Sequence, residues 1–304
     1  MPAPLDPLPI RAAVREAAER LRDGGKPNAQ AEAREIVGRA LGLSRAELVG
    51  RSAPGVASEG VASEDLAEIN AVLERRLAGE PLDSIIGERE FFGRLFRVTP
   101  DVLSPREDTE ALVRATLAAL DGVETPRVLE LGLGSGAVAI TLLAERPDMS
   151  VMGVDISPFA LLVGENNAVR HGVADRLDLA EGSWFEPVEG RFDAVVSNPP
   201  YITDAAMRTL EREVRDFDPA LALAGGPDGL DAFRVIAGQA RAHLEPGAPL
   251  LLEIGYDLGA GVAALLARAG FADVRVTPDL AGHDRVVIAR TLPAEAAETV
   301  VDDA

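Results

Sequence analysis

Apolar residues recur at helical spacing through the first part of the chain. Ile10, Val14, Ala17, Ala18 and Leu21 share one face, and Ala33, Ile36, Val37, Ala40 and Leu41 share another. The run SRAE, Ser44 to Glu47, has the form of a capping box, in which a hydroxyl and a carboxylate satisfy the free N–H groups of a helix start. After the Gly/Ser/Pro-rich loop RSAPGVASEG, Ser63 stands where it can cap a further helix that carries Leu66, Ile69, Leu73 and Leu77 on its apolar face. Residues 1–78 are therefore expected to form a small helical bundle, of a size that often serves as a docking module.

The period changes after Ala78. EFFGRLFRVTPDVLSPR mixes aromatic and β-branched residues around a central glycine, which predicts a β-hairpin linker over 79–105. Beyond it helices and strands alternate. ALVRATLAAL, AVAITLLAERP and FALLVGENNAVRHG have helical patterns, and RVLEL, VMGVDI, FDAVVS, PLLLEIG and RVVIAR are short apolar strands. Repeated βα alternation predicts an α/β domain over 106–292, built on a parallel sheet covered on both faces. The closing stretch, 293–304, carries four acidic residues and is expected to be a solvated tail.

Composition narrows the chemistry. With 304 residues, 47% of them hydrophobic, the chain is long enough for a large domain and a small one. The absence of cysteine excludes disulfides, thiolate zinc sites and a catalytic thiol. It also fits a reducing cytoplasm. No basic start precedes an apolar run at the N-terminus, and no segment is apolar for long enough to span a membrane. The formal charge of −20 repels phosphate backbones, which argues against a nucleic-acid substrate and for a basic protein partner. Lys26 is the only lysine, so an acidic, arginine-using host composition is an equally simple source of that charge.

Candidate chemistry collects at the strand ends. In VLELGLGSGAVAI a strand runs into a glycine-rich turn and then a helix, so Gly132, Gly134 and Gly136 let the backbone turn tightly and approach a ligand at a helix N-terminus. The spacing is G-x-G-x-G, unlike the dinucleotide fingerprint, and alone it also suits an ordinary strand-to-helix turn. The next strand ends in Asp155, near the interval at which an acidic side chain accepts ribose hydroxyls in Rossmann-type sheets. A helix cap is the plainer reading of Asp155. Trp184, the only tryptophan, follows the expected third strand, where it either stacks on an adenine ring or anchors a loop. Finally VVSNPPYI ends a strand on Asn198, Pro199, Pro200 and Tyr201. Proline fixes φ and pushes its predecessor towards extended geometry, which leaves outward-facing carbonyls and the Asn198 amide at the strand end.

LELGLGSG, Asp155 and SNPPYI together resemble class I S-adenosylmethionine-dependent methyltransferases that act on amino or amide nitrogens. PLDSIIGEREFFGRLFRV, LSPREDTEALV, EGSWFEP, GGPDGLDAFRVI, LLLEIG and DLAGHDRVV narrow the resemblance to the HemK/PrmC family of N5-glutamine methyltransferases, which modify peptide chain release factors. It covers nearly the whole chain. It implies a Rossmann-like class I methyltransferase sheet with an N-terminal helical substrate-docking domain, S-adenosylmethionine as methyl donor, and a release factor as cytoplasmic partner, with no membrane and no direct nucleic-acid contact. The cofactor would be held by Glu130, Gly132, Leu133, Gly134, Ser135, Gly136, Asp155, Trp184 and Asn198. Asn198, Pro199, Pro200 and Tyr201 would serve catalysis, Asn198 and the Pro199 carbonyl as acceptors for the substrate amide and Tyr201 as an apolar wall. The chain departs from the family's usual Asp-Leu-Gly-Thr-Gly at Glu130 and at the bulky Leu133, which is expected to tighten the loop. Partner choice leaves room for a ribosomal-protein glutamine methyltransferase, a nucleobase N-methyltransferase, or a non-catalytic cofactor-binding partner of translation factors.

Other polar residues give less. His171, His243 and His283 lack metal-ligand spacing and suit surface or structural roles, so no metal site and no dedicated base is expected. Arg106, Thr109 and Glu110 either help close the cofactor pocket or start a helix. Glu253 either orients the NPPY loop or merely ends a strand.

Overall fold

The computed structural model describes residues 8–53, 60–279 and 281–293. The tail expected at 293–304 lies outside the described residues except for Pro293, as does the middle of RSAPGVASEG. The chain divides into two compact units, Met1–Ile86 and Gly87–Ala304.

In the first unit, β1 (Leu8–Pro9) leads into α1 (Ile10–Asp23), α2 (Ala29–Ala40) and α3 (Arg45–Arg51); β2 (Gly60–Val61) pairs antiparallel with β1, and α4 (Ser63–Leu77) and α5 (Leu82–Ile86) follow. The apolar stripe of α1 is buried from Ile10 to Leu21 against Ala33, Ile36 and Val37 of α2, with Leu48, Ile69 and Leu73 completing the core. The capping box forms at α3: Ser44 Oγ accepts from the Glu47 N–H at 3.3 Å, and Glu47 Oε2 accepts from the Ser44 N–H at 2.9 Å. Ser63 differs from expectation. It is the first helical residue, and Ala62 occupies the cap position without a side-chain bond; Glu64 and Asp65 in the first turn complement the helix dipole instead. Arg76, only 4% exposed, is bound through two nitrogens by Glu32, at 2.8 and 3.1 Å, which ties α4 to α2.

The second unit opens with the hairpin of β3 (Glu88–Phe91) and β4 (Arg94–Arg97), closed by Phe92 and Gly93 at φ 50° and 72°. Positive φ at both central residues matches the twist of the flanking strands, and the glycine supplies one at no steric cost. The chain continues as α6 (Glu110–Ala119), β5 (Arg127–Leu131), α7 (Ala137–Glu145), β6 (Ser150–Asp155), α8 (Pro158–Arg170), β7 (Leu177–Glu181) and β8 (Ala194–Ser197). After β8 come β9 (Ile202–Thr203), α9 (Asp204–Met207), α10 (Arg212–Phe217), β10 (Ala224–Gly226) and α11 (Asp231–Gln239). The unit then runs through β11 (Pro249–Glu253), α12 (Gly259–Arg268), β12 (Ala272–Pro278) and β13 (Asp284–Arg290).

Seven strands form one sheet in the order β12-β13-β11-β8-β5-β6-β7. The expectation of a wholly parallel sheet needs correcting, because β13 runs antiparallel to both β11 and β12. A short return after β12 reverses the chain and slots β13 between them, where a βα crossover would have kept the strands parallel. Strand side chains alternate between two cores: Val128 faces the layer that contains Leu112 and Ile140, whereas Leu129 and Leu131 face the layer that contains Phe233 and Val262. Strand order reverses between β5 and β8, and such switch points open a crevice at the carboxyl ends of the strands.

Candidate functional site

A cavity of about 510 Å³ occupies that crevice, within the ~300–1,000 Å³ range of small-molecule sites. The loop after β5 forms its floor. The N–H groups of Gly132 and Leu133 both donate to the Val154 carbonyl, at 2.8 and 3.0 Å, and the Gly134 N–H donates to Asp155 Oδ2 at 2.8 Å. The other oxygen of Asp155 accepts from the Ser157 N–H at 2.9 Å. One carboxylate therefore joins the glycine loop to the start of α8 while each oxygen keeps a lone pair.

Glu130 is 3% exposed, and its Oε2 accepts from the Ala139 N–H at 2.8 Å in the first turn of α7. Burial, with the nearby charge of Asp155 adding to it, pushes the carboxyl up to about 8 against the pull of that hydrogen bond. Leu133 lines the cavity but turns most of its bulk into the protein. It is 3% exposed, and its methyl groups fill space left by two glycines: a Cβ placed on Gly153 or on Gly164 would lie 2.7 Å from one of them.

The predicted residues are brought together unequally. Glu130, Gly132, Leu133, Gly134, Ser135, Asp155, Trp184, Asn198 and Pro200 line the cavity. Gly136, Pro199 and Tyr201 do not. Gly136 lets the start of α7 pack on α8, since a Cβ there would meet Ile140 at 2.8 Å and the Gly164 backbone at 3.4 Å. Pro199 is buried, and its carbonyl accepts no hydrogen bond among the described residues. Tyr201 packs against the second core with its ring beside Gly255; burial first, then the charge of Glu253, raises its phenol above the usual range. Trp184 holds a left-handed φ of 53°, uncommon for a bulky residue and costly enough to need support from its surroundings.

Around the rim, Arg106 and Thr109 line the cavity, and the Arg106 guanidinium donates to Asp218 Oδ2 at 2.8 Å. Glu110 lies off it, accepting from the Phe92 N–H and from Arg114. Thr109 Oγ1 accepts from Asn198 Nδ2 at 3.3 Å. The histidines stand apart: His171 packs on Phe96 and His243 stacks on Phe185, while the His283 N–H donates to Asp279.

Sequence reasoning missed Asn167, a wholly buried residue of α8. Its Oδ1 accepts from the Arg97 N–H at 2.8 Å, and its Nδ2 donates to the Arg97 and Ser135 carbonyls at 3.0 and 2.9 Å. The side chain continues the edge of β4 and fixes the hairpin to the glycine loop. Nothing in the sequence separates it from the exposed Asn166 beside it.

Comparison with known proteins agrees with this architecture. Residues 106–222 match the methyltransferase small domain, and residues 12–87 match the PrmC N-terminal domain. The chain is 46% identical to a release factor glutamine methyltransferase of Cereibacter sphaeroides over 93% of its own length and 98% of the relative's. It is 41% identical, over the same shares, to the protein of that name in Moorella thermoacetica. A methyltransferase crystal structure from Pyrococcus furiosus has the same fold, with a TM-score of 0.50 at 18% identity over 72% of this chain and 97% of that one. With this identity sustained over nearly the full length of both chains, the protein belongs to the release factor glutamine methyltransferase family.

Proposed function

We propose that the protein transfers a methyl group from S-adenosylmethionine to the side-chain nitrogen of the glutamine in the Gly-Gly-Gln loop of a peptide chain release factor, in the cytoplasm. The observation that carries this reading is the meeting, at one cavity, of an open glycine loop, the Asp155 carboxylate and Asn198.

The residues present suit the cofactor. Gly132 and Gly134 have positive φ, and a Cβ on either meets no protein atom, so the backbone there is open to a bulky ligand. Asp155 has acceptors to spare for ribose hydroxyls, Glu130 offers a buried carboxyl to a cationic end, and Trp184 offers an aromatic face. Bound there, the cofactor supplies an electrophilic methyl on a positively charged sulfur.

The chain's own task is to aim a poor nucleophile, because a carboxamide nitrogen delocalises its lone pair into the carbonyl. Asn198 Oδ1 accepts one N–H of the substrate amide and the Pro199 carbonyl accepts the other, which fixes the nitrogen in line for attack. Two acceptors also favour positive charge on that nitrogen in the transition state and reject groups that lack two donors. Pro199 and Pro200 hold the segment extended. Tyr201 braces it from behind through Gly255. Water suffices to take the proton, since a methylated amide cation is a strong acid.

The test is incubation with methyl-labelled S-adenosylmethionine and purified release factor, followed by mass spectrometry of the Gly-Gly-Gln peptide. One added methyl on that glutamine is expected. A release factor left unlabelled, while another component of a lysate takes up label, would assign the site to a different substrate.

A further inference from the structure

Glu253 ends β11 and is 2% exposed, and its Oε2 has no hydrogen-bond partner among the described residues. It lies outside the cavity wall. Leu252 pairs with Ser197 of β8, which brings Glu253 level with Asn198. Asn198 Nδ2 donates to Thr109 Oγ1, so that oxygen is an acceptor and the hydroxyl proton remains to be placed. The Thr109 hydroxyl and the Asn198 amide both face the Glu253 carboxyl and favour its ionised form.

We infer that Glu253 is a positioning residue that sets, through the Thr109 hydroxyl, which end of the Asn198 carboxamide faces the substrate. A carboxylate can only accept. It draws the Thr109 proton, the Thr109 oxygen then accepts from Asn198 Nδ2, and Oδ1 is left towards the cavity as an acceptor. A neutral Glu253 donates to Thr109 instead. The Thr109 proton then turns to Asn198, Oδ1 swings inward, and the NH₂ group meets a substrate that has only donors to offer. The one proton gained is the one Glu253 takes from solvent; Thr109 and Asn198 keep theirs and only the direction of their hydrogen bonds reverses. The inference rests on the assignment of Asn198 as the substrate's acceptor.

The charged and titratable surroundings of Glu253 are Arg285 of β13, Asp108 beside Thr109, and the Tyr201 phenol. Arg285 favours ionisation but is shared with Asp108 at 2.9 Å and Asp279 at 3.3 Å. Burial prevails and pushes the carboxyl up to about 7, so the relay is poised to reverse near neutral pH.

The experiment is a ¹⁵N NMR titration of the Asn198 side-chain amide in the full chain, without ligands, across about pH 7. The signals are expected to move with pH in the wild type and to stay fixed in Glu253→Gln, whose kcat should fall at least ~10-fold at unchanged S-adenosylmethionine affinity. Thr109→Ser should keep the titration and Thr109→Val should lose it. Asn198 signals that are flat in the wild type, or that titrate unchanged in folded Glu253→Gln, would overturn the relay whatever the substrate proves to be. A normal titration in a protein that leaves release factor unmethylated would support the relay and count against the substrate reading alone.

Discussion

Asp155 ends β6 and Asn198 follows β8 in one sheet, yet in the proposed reaction they serve different molecules, and kinetics can separate them. Asp155→Ala should weaken S-adenosylmethionine binding, each charge-assisted bond to a ribose hydroxyl being worth ~1.5–3 kcal/mol, as measured by calorimetry. Asn198→Ala should lose at least ~10²-fold in turnover, far more than it loses in cofactor binding. The reverse pattern would exchange their roles. Glu130 makes a prediction about pH. Its carboxyl holds a proton more tightly in the fold, at about 8, than at its ordinary 4.5, so its contribution to stability is present at low pH and is lost as pH rises through that window. Glu130→Gln keeps an acceptor for Ala139 and removes the titration. Its unfolding free energy should match the wild type's in acid and exceed it near pH 8, by an amount on the order of a few kcal/mol, with Tm rising in step. A Tm difference that does not vary with pH would mean that Glu130 is already ionised in the fold.

Among the elements, α8 is packed unusually close to the glycine loop. Gly164 sits within it, where alanine would be favoured by ~1 kcal/mol on propensity alone. An added Cβ, however, would lie 2.7 Å from a Leu133 methyl, and overpacking of that kind costs ~1–3 kcal/mol. Gly164→Ala should therefore lower Tm, and adding Leu133→Thr should restore much of the loss; additive effects would mean that the two residues do not touch. The same pair shows where sequence reading stops. Helices and strands were legible because burial imposes their periods, and the loop and Asp155 because their spacing is tied to a strand-turn-helix unit. Leu133 read only as a bulky residue expected to tighten the loop, because its accommodation depends on Gly153 and Gly164, which adjoin it only in space. Asn167 read as one more polar helical residue. β12 was not foreseen and the direction of β13 was misjudged, since a hairpin and a crossover can join the same strands and no Asn-Gly or Asp-Gly turn marks the return. Asn198 was prominent in the sequence, whereas its link through Thr109 to Glu253 spans three separate segments.

At the scale of the whole molecule, Gly87–Ala304 carries the cavity, and we propose that Met1–Ile86 recognises the protein that brings the glutamine. A protein beginning at Gly87 should still bind S-adenosylmethionine but show a raised KM for intact release factor, because remote contacts contribute substrate affinity. A short Gly-Gly-Gln peptide should be a poor substrate with or without the helices. Equal efficiency on intact release factor would leave the helices a stabilising role only. The inserted strand β13 also orders the molecule in time. Every residue of the cavity wall has been synthesised by Ala224, but the strand that joins β11 to β12, and brings Arg285 towards Glu253, comes last in the sheet. During biosynthesis the growing chain thus carries its whole cavity lining well before residues 284–290 are available to close the sheet that positions it.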